Sequence, residues 1–167
     1  GATLVDERNV IGNPFMMREA FDDLVELARA RLIKGRPAIE DSNIRQRLVE
    51  IEGYVRTGEA SNLLQFTAAN RGEPLTAIRP MMMNKVCSTD TMQRIMKCAY
   101  DLLGGDGLLS PLAAELDTWG RTTTSTGWVL QYIFSMGPAI AGGATNIQPN
   151  IIGERGYGLP RDLRPPS

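Results

Sequence analysis

The sequence contains no histidine, and that absence removes the Ser-His-Asp triad, the Cys-His pair and nearly every common zinc site. Aromatic residues make up only 6% of the 167, too few for the stacking platforms that hold single-stranded nucleic acid. No charge of one sign dominates: 18 Lys and Arg stand against 19 Asp and Glu, a net charge of −1. A nucleic-acid arm or a membrane-hugging surface needs a clear positive surplus, so neither partner is expected. The longest apolar runs fall far short of the roughly 20 residues that span a bilayer. Chemistry in this chain must come from carboxylates, Arg, Lys, backbone groups or a bound cofactor.

Cysteine is scarce as well. Cys87 and Cys98 lie in a segment that reads as helix, close to three turns apart. Both could face the same side, but about 16 Å separates them along the axis. A disulfide needs Cα atoms within about 7 Å, so no bridge joins them while that helix stands. Free thiols and the lack of a recognisable secretory leader point to a reducing compartment and a cytoplasmic location. The chain opens at Gly1 rather than Met, which reads as a cut boundary in a longer protein.

What is present is helical periodicity. Phe21, Leu24, Val25, Leu27 and Ala28 follow the three-and-four rhythm of an amphipathic helix, with a restart expected near Asn13-Pro14 and an end by Gly35 and Pro37. A second helix opens at Glu40-Asp41-Ser42, carries Ile44, Leu48, Ile51 and Val55, and closes at Arg71-Gly72; Gly53 and Gly58 weaken it. A third runs from about Pro80 to Leu102, a short apolar one from Trp128 to Met136, and a last one from after Gly143 to Gly156 or Gly158. No segment alternates like a strand. The length suits one domain, and these elements predict an all-α fold over residues 1–167: an antiparallel four-helix bundle with an extra short C-terminal helix.

Three local patterns bear on function. Gly104-Gly105-Asp106-Gly107 follows a helix end, whereas phosphate loops precede a helix start, so it reads as a C-cap whose bare backbone permits close approach. Gly142-Gly143-Ala144-Thr145-Asn146 stands before a helix; its free N–H groups suit an electron-rich ligand edge, or Thr145 simply caps the helix. Met81, Met82 and Met83 read as adaptable core filler in preference to a flexible binding groove.

The stretch Ala139–Arg161, with its Ala-Gly-Gly, Asn146-Ile-Gln-Pro-Asn-Ile-Ile-Gly-Glu-Arg155 and Leu159-Pro-Arg161, resembles the final helix of acyl-CoA dehydrogenases. Arg36-Pro37 through Arg45-Gln46-Arg47-Leu48, and Leu102-Leu-Gly-Gly-Asp-Gly107, resemble two further motifs of that family, in the right order. The resemblance covers most of the chain, least between Gly107 and Pro138. It implies the family's C-terminal helical bundle, with the N-terminal helical and middle β domains absent from this chain.

The resemblance further implies FAD as cofactor, and oxidation of an acyl-CoA substrate to the trans-2-enoyl form by α-proton abstraction and β-hydride transfer to flavin. It also implies a homo- or hetero-oligomer and an electron-transfer flavoprotein as partners. Gly142 stands where many members carry the catalytic carboxylate. Other members use a glutamate on the first bundle helix, and Glu7 in Leu4-Val-Asp-Glu-Arg8 matches it; beside Arg8 it also reads as a solvated or ion-paired residue. Arg31 matches the arginine that contacts the FAD pyrophosphate, Gly104 and Gly105 the pair beside a neighbouring subunit's adenosine, and Gly143 with Thr145 the final cofactor contacts. Departures stand at Asp101, Ala144, Asn146 and Lys34, where the family has Gln, Thr, Glu and an aromatic. Such departures resemble a divergent subunit of bacterial heteromers that act on bulky sterol-type side chains. The isolated bundle is expected to be inactive and to self-associate through uncovered apolar faces.

Overall fold

A computed structural model describes residues 13–110, 123–141 and 145–161, with side chains throughout except at 74–81. Helix α1, Pro14–Ala30, begins where Asn13 accepts a hydrogen bond from the Phe15 amide at 3.0 Å. Proline at the first helical position loses nothing there, because its missing N–H would have had no partner. Met17, Ala20, Phe21, Leu24 and Ala28 form the buried stripe.

The chain then makes a hairpin, β1 (Leu32–Ile33) against β2 (Arg36–Pro37), with Ile33 opposite Arg36. Its loop places Lys34 at φ 52° and Gly35 at φ 79°. Two successive left-handed residues match the right-handed twist of a tight hairpin. This pair was not anticipated, because two-residue strands are too short to show alternation.

A 3₁₀ turn, Ala38–Glu40, leads to α2, Ser42–Asn70, capped by Asp41 Oδ1, which accepts from the amides of Asn43 and Ile44. Helix α3, Pro74–Leu103, follows after Arg71-Gly72-Glu73, with Gly72 at φ 68°. It starts six residues before the expected Pro80, which therefore lies inside the helix; Pro74 occupies the opening turn instead. A 3₁₀ turn, Gly104–Leu108, precedes α4, Ser125–Phe134, whose first turn is capped by Thr124 Oγ1 accepting from the Gly127 amide. Another 3₁₀ turn, Gly137–Ala139, leads to α5, Gln148–Ile151, which widens into a π turn at Ile152–Gly156.

Cross-helix partners fix the directions. Ser61, Glu50 and Arg47 of α2 meet Asn84, Arg94 and Asp101 of α3, so the two run antiparallel. Tyr132 of α4 stacks on Tyr100 of α3 at 4.7 Å, and Gln93 reaches the Ser135 carbonyl, so α4 reverses again. Arg18 of α1 binds Glu52 and Glu59 of α2. The result is the expected all-α antiparallel bundle, and α2 against α3 is its most extensive contact. Leu24, Ala28, Val55, Ile95, Cys98, Ala99 and Trp128 fill the centre.

The outer stripe of α3 runs through Met83, Cys87, Asp90, Arg94, Lys97 and Asp101, at the spacing of one helix face. Met83 is exposed on it, which corrects the core-filler expectation there. Cys87 and Cys98 are both free; Cys98 sits in the core cluster and Cys87 is exposed. Large apolar side chains also stay uncovered, among them Phe15, Leu63, Leu64, Phe66 and Phe134. Among the described residues no helix is long and apolar enough to cross a membrane.

Candidate functional site

Arg31 is held at both ends of its peptide. Its amide donates to Leu27 at the end of α1, and its carbonyl accepts from Ala38 at 2.7 Å. The side chain crosses to two other elements. Nη2 donates to Asp106 Oδ2 in the 3₁₀ turn after α3 and to Ser125 Oγ at the start of α4, both at 2.7 Å. The Ser125 hydroxyl in turn donates to Asp106 Oδ2 at 3.2 Å. The Arg31 hydrogen bond and charge, then the Ser125 bond, hold the Asp106 carboxyl below its ordinary range. The arginine side chain is 30% exposed and the aspartate 45%, so the pair borders solvent.

The glycine pair stands beside this contact. Gly104 has φ 56° and ψ −123°, a conformation that a β-carbon would strain. Among the described residues, a β-carbon at Gly104 or Gly105 would meet no heavy atom within 4 Å. Gly107 differs, because a β-carbon there would crowd the Tyr100 ring. The turn therefore presents bare backbone to open space at its first two residues and packs at its fourth.

Thr145 belongs to a different place. Its amide and hydroxyl both donate to the Ala139 carbonyl, at 2.9 and 3.0 Å. It does not cap the last helix: α5 starts at Gln148, after Ile147, with no side-chain cap. The hydroxyl is engaged in closing a loop onto the 3₁₀ turn at Gly137–Ala139. Beneath it lies Lys85, only 1% exposed, whose Nζ donates to Ala139 O and Thr145 Oγ1 at 3.4 Å. Sequence reasoning missed Lys85, although it shares the helical stripe of Ser88, Met92 and Ile95 and so stood out as a cation on an apolar face.

The structure thus joins Arg31 to the turn carrying Gly104 and Gly105, and separates both from Thr145. Lys85 and Leu103 are eighteen residues apart on α3, about 27 Å at the rise of an α-helix. Glu7 and Gly143 lie outside the described residues. Asp101, the expected negative charge near a phosphate, is engaged on the outer face: burial raises its pKa, but hydrogen bonds from Lys97 and Arg47 outweigh this and leave it lowered. An open groove of about 620 Å³ lies alongside, lined by Arg47, Glu50, Arg94 and Tyr132. Among the described residues no group of three potential ligands is placed to hold a metal ion.

Chemically, the Arg31 end offers a partly exposed guanidinium, open glycine backbone and the N-terminus of α4, with the Ser125 hydroxyl given to Asp106. That donor set fits an anionic group arriving from the open side. It fits the pyrophosphate of a dinucleotide such as FAD in type, while Asp106 opposes it in charge.

The family model described as "Acyl-CoA dehydrogenase, C-terminal domain" matches residues 2–157, and the chain belongs to that family. It is 30% identical to acyl-CoA dehydrogenase IpdE1 of Mycobacterium tuberculosis over 98% of its length and 38% of that protein's. The Mycolicibacterium smegmatis protein of the same name is 29% identical over 97% of the chain and 36% of its own length. The chain spans less than two fifths of these curated relatives. Its fold is also that of subunits in two solved complexes. One is the ChsE4–ChsE5 complex from Mycobacterium tuberculosis, with TM-score 0.66 and 18% identity over 90% of this chain and 36% of that one. The other is the Tcur3481–Tcur3483 steroid ACAD, with TM-score 0.67 and 21% identity over 95% and 38%.

Proposed function

We propose that the chain serves as the C-terminal bundle of an FAD-dependent acyl-CoA dehydrogenase of hetero-oligomeric type, acting on a bulky, sterol-like acyl-CoA. The observation that carries this reading is the Arg31 guanidinium beside the open Gly104-Gly105 backbone, on a chain of this family. The substrate class and the heteromer are carried over from relatives whose solved structures are a two-protein complex and a steroid ACAD.

FAD, when bound, supplies the acceptor for the β-hydride. Arg31 would hold a pyrophosphate oxygen through its planar fork, and Gly104 and Gly105 would let the adenosine side of a neighbouring subunit's cofactor approach the backbone. The family motif assigns Gly143 and Thr145 further cofactor contacts, and Thr145 would make its own from the other end of α3. Glu7 takes the α-proton at a carboxylate oxygen, which requires hydrogen-bond reach and a pKa raised toward neutrality. An electron-transfer flavoprotein would serve as the electron acceptor of the intact enzyme. The chain alone has no turnover on this reading; activity of the isolated bundle with an artificial acceptor would contradict it.

The test is the visible absorption spectrum of the full-length gene product, purified alone and with any adjacent homologue. Flavin bands in either preparation are expected, and their absence from both overturns the proposal. Glu7→Gln in the flavin-bearing form should abolish dehydrogenation while flavin is retained. A second reading is favoured by Gly142 in place of a carboxylate and by the Asp106 charge beside Arg31: the chain is a non-catalytic assembly subunit. Its signature is flavin only in the mixture, with full activity after Glu7→Gln.

A further inference from the structure

We infer that Asp106 sets the affinity of the Arg31 end for phosphate, acting as an internal anion that a ligand must meet. The inference deepens the proposed function and rests on its assignment of Arg31 to a pyrophosphate. Among the described residues, both hydrogen bonds of the Arg31 side chain leave from Nη2, and both go to the Asp106–Ser125 pair. The guanidinium uses one nitrogen on a single carboxylate oxygen, and Nε and Nη1 form no hydrogen bond to a described residue. A carboxylate and a phosphate compete for the same face of a guanidinium, and each is best held by two parallel N–H groups. The 2.7 Å contact therefore neutralises Arg31 without filling its fork.

Asp106 can act in this way because of where it stands. It follows Gly104 and Gly105 directly, so a ligand approaching their bare backbone comes within charge–charge range of the carboxylate. Ser125 also donates to Asp106, so its hydroxyl is turned from the open side toward the carboxylate. Any phosphate-bearing ligand must therefore displace Asp106 from Nη2 or bind Nε and Nη1 with a like charge beside it. Asparagine at 106 keeps an oxygen acceptor for Nη2 and Ser125 while removing the charge.

The test is a calorimetric titration of the chain with inorganic pyrophosphate at low salt. Asp106→Asn should bind about tenfold more tightly than the unaltered chain, the size of one like charge removed at a solvent-bordering site. Asp106→Glu keeps the charge and should bind as the unaltered chain does. Arg31→Met combined with Asp106→Asn should lose the gain, with circular dichroism confirming that each variant is folded. Weaker or unchanged binding by Asp106→Asn, or no binding by either, overturns the inference, since Asp106 would then orient Arg31 or merely pair with it. Pyrophosphate is the only ligand used, so this result is independent of whether the full-length protein carries flavin.

Discussion

The ring of Tyr100 stands 3.3 Å from the point where a β-carbon on Gly107 would lie. Tyr100 is itself stacked on Tyr132 at 4.7 Å, with 26° between the planes, so it has little room to withdraw. Gly107→Ala is therefore expected to cost about 1–2 kcal/mol through overpacking. Gly105→Ala, two residues earlier with open space around it, should cost nothing measurable. Urea unfolding of the two variants checks the contrast, and equal losses would show that the turn, not the tyrosine, sets the requirement.

Two glycines inside α2 make a second contrast. A β-carbon at Gly53 meets nothing within 4 Å, whereas one at Gly58 would lie 2.9 Å from Met17 Cε. Gly53→Ala should stabilise the protein by about 0.5–1 kcal/mol from helix propensity alone. Gly58→Ala should gain less, because the flexible end of Met17 must shift first. Thermal melts of both variants measure the difference.

Arg18 binds both carboxylates above it through paired contacts: Nη1 and Nη2 to Glu52 at 3.0 and 3.2 Å, and Nε and Nη2 to Glu59 at 2.8 and 3.3 Å. The Arg18 hydrogen bond lowers the pKa of each from the ordinary 4.5. Both carboxylates bind a proton less readily folded than unfolded, so their stabilisation is complete above 4.5 and disappears as pH falls through the lower folded values. Arg18→Met should cost about 1 kcal/mol at neutral pH, given the partial exposure of all three groups. The gap between variant and parent should narrow as pH falls below 4.5, and a pH-independent gap would assign the effect to packing against Phe21.

Lys85 ties Ala139 and Thr145 to α3, so its loss should be felt locally. Removing the cation leaves the Ala139 carbonyl and the Thr145 hydroxyl short of a buried donor, and losing one partner of a buried polar contact costs about 1–3 kcal/mol. Lys85→Met is expected to lower stability by that amount while the Thr145 amide exchanges about tenfold faster. Thr145→Val should speed up the same amide. Unchanged exchange in both would show that the loop is closed by other contacts.

The bundle was readable because its helices announce themselves: Asn13, Asp41 and Thr124 are capping residues, and each cap is made by its side chain. Boundaries were less legible where two signals competed. Pro80 looked like a helix start, yet Pro74 fills that role, and the backbone continues through the second proline. Around the site, family motifs named Arg31 and the Gly104-Gly105 pair as separate cofactor contacts, and the meeting of the two through Asp106 was not legible. Nothing in the sequence pairs Arg31 with Asp106, 75 positions away, because that contact is made by the packing of α1 against the end of α3. Thr145 had the right residue type for a cap and lost that role to the Ala139 carbonyl, a tertiary competitor that local rules do not include.

Helix α3 also works as a spacer. The Arg31 turn and the Lys85–Thr145 loop are set apart by the number of residues in that helix. A compact molecule can touch only one of them on a given copy, so a ligand served by both must be extended along the helix or be shared between subunits. One residue added between Lys85 and Gly104 would advance the glycine turn by about 1.5 Å and rotate it by about 100°, taking it out of register with Arg31. Seven added residues would bring the turn back to nearly its original angle, but about 10 Å farther away. Length and phase of this one helix are thus coupled constraints, and alterations that keep every contact residue can still break the arrangement.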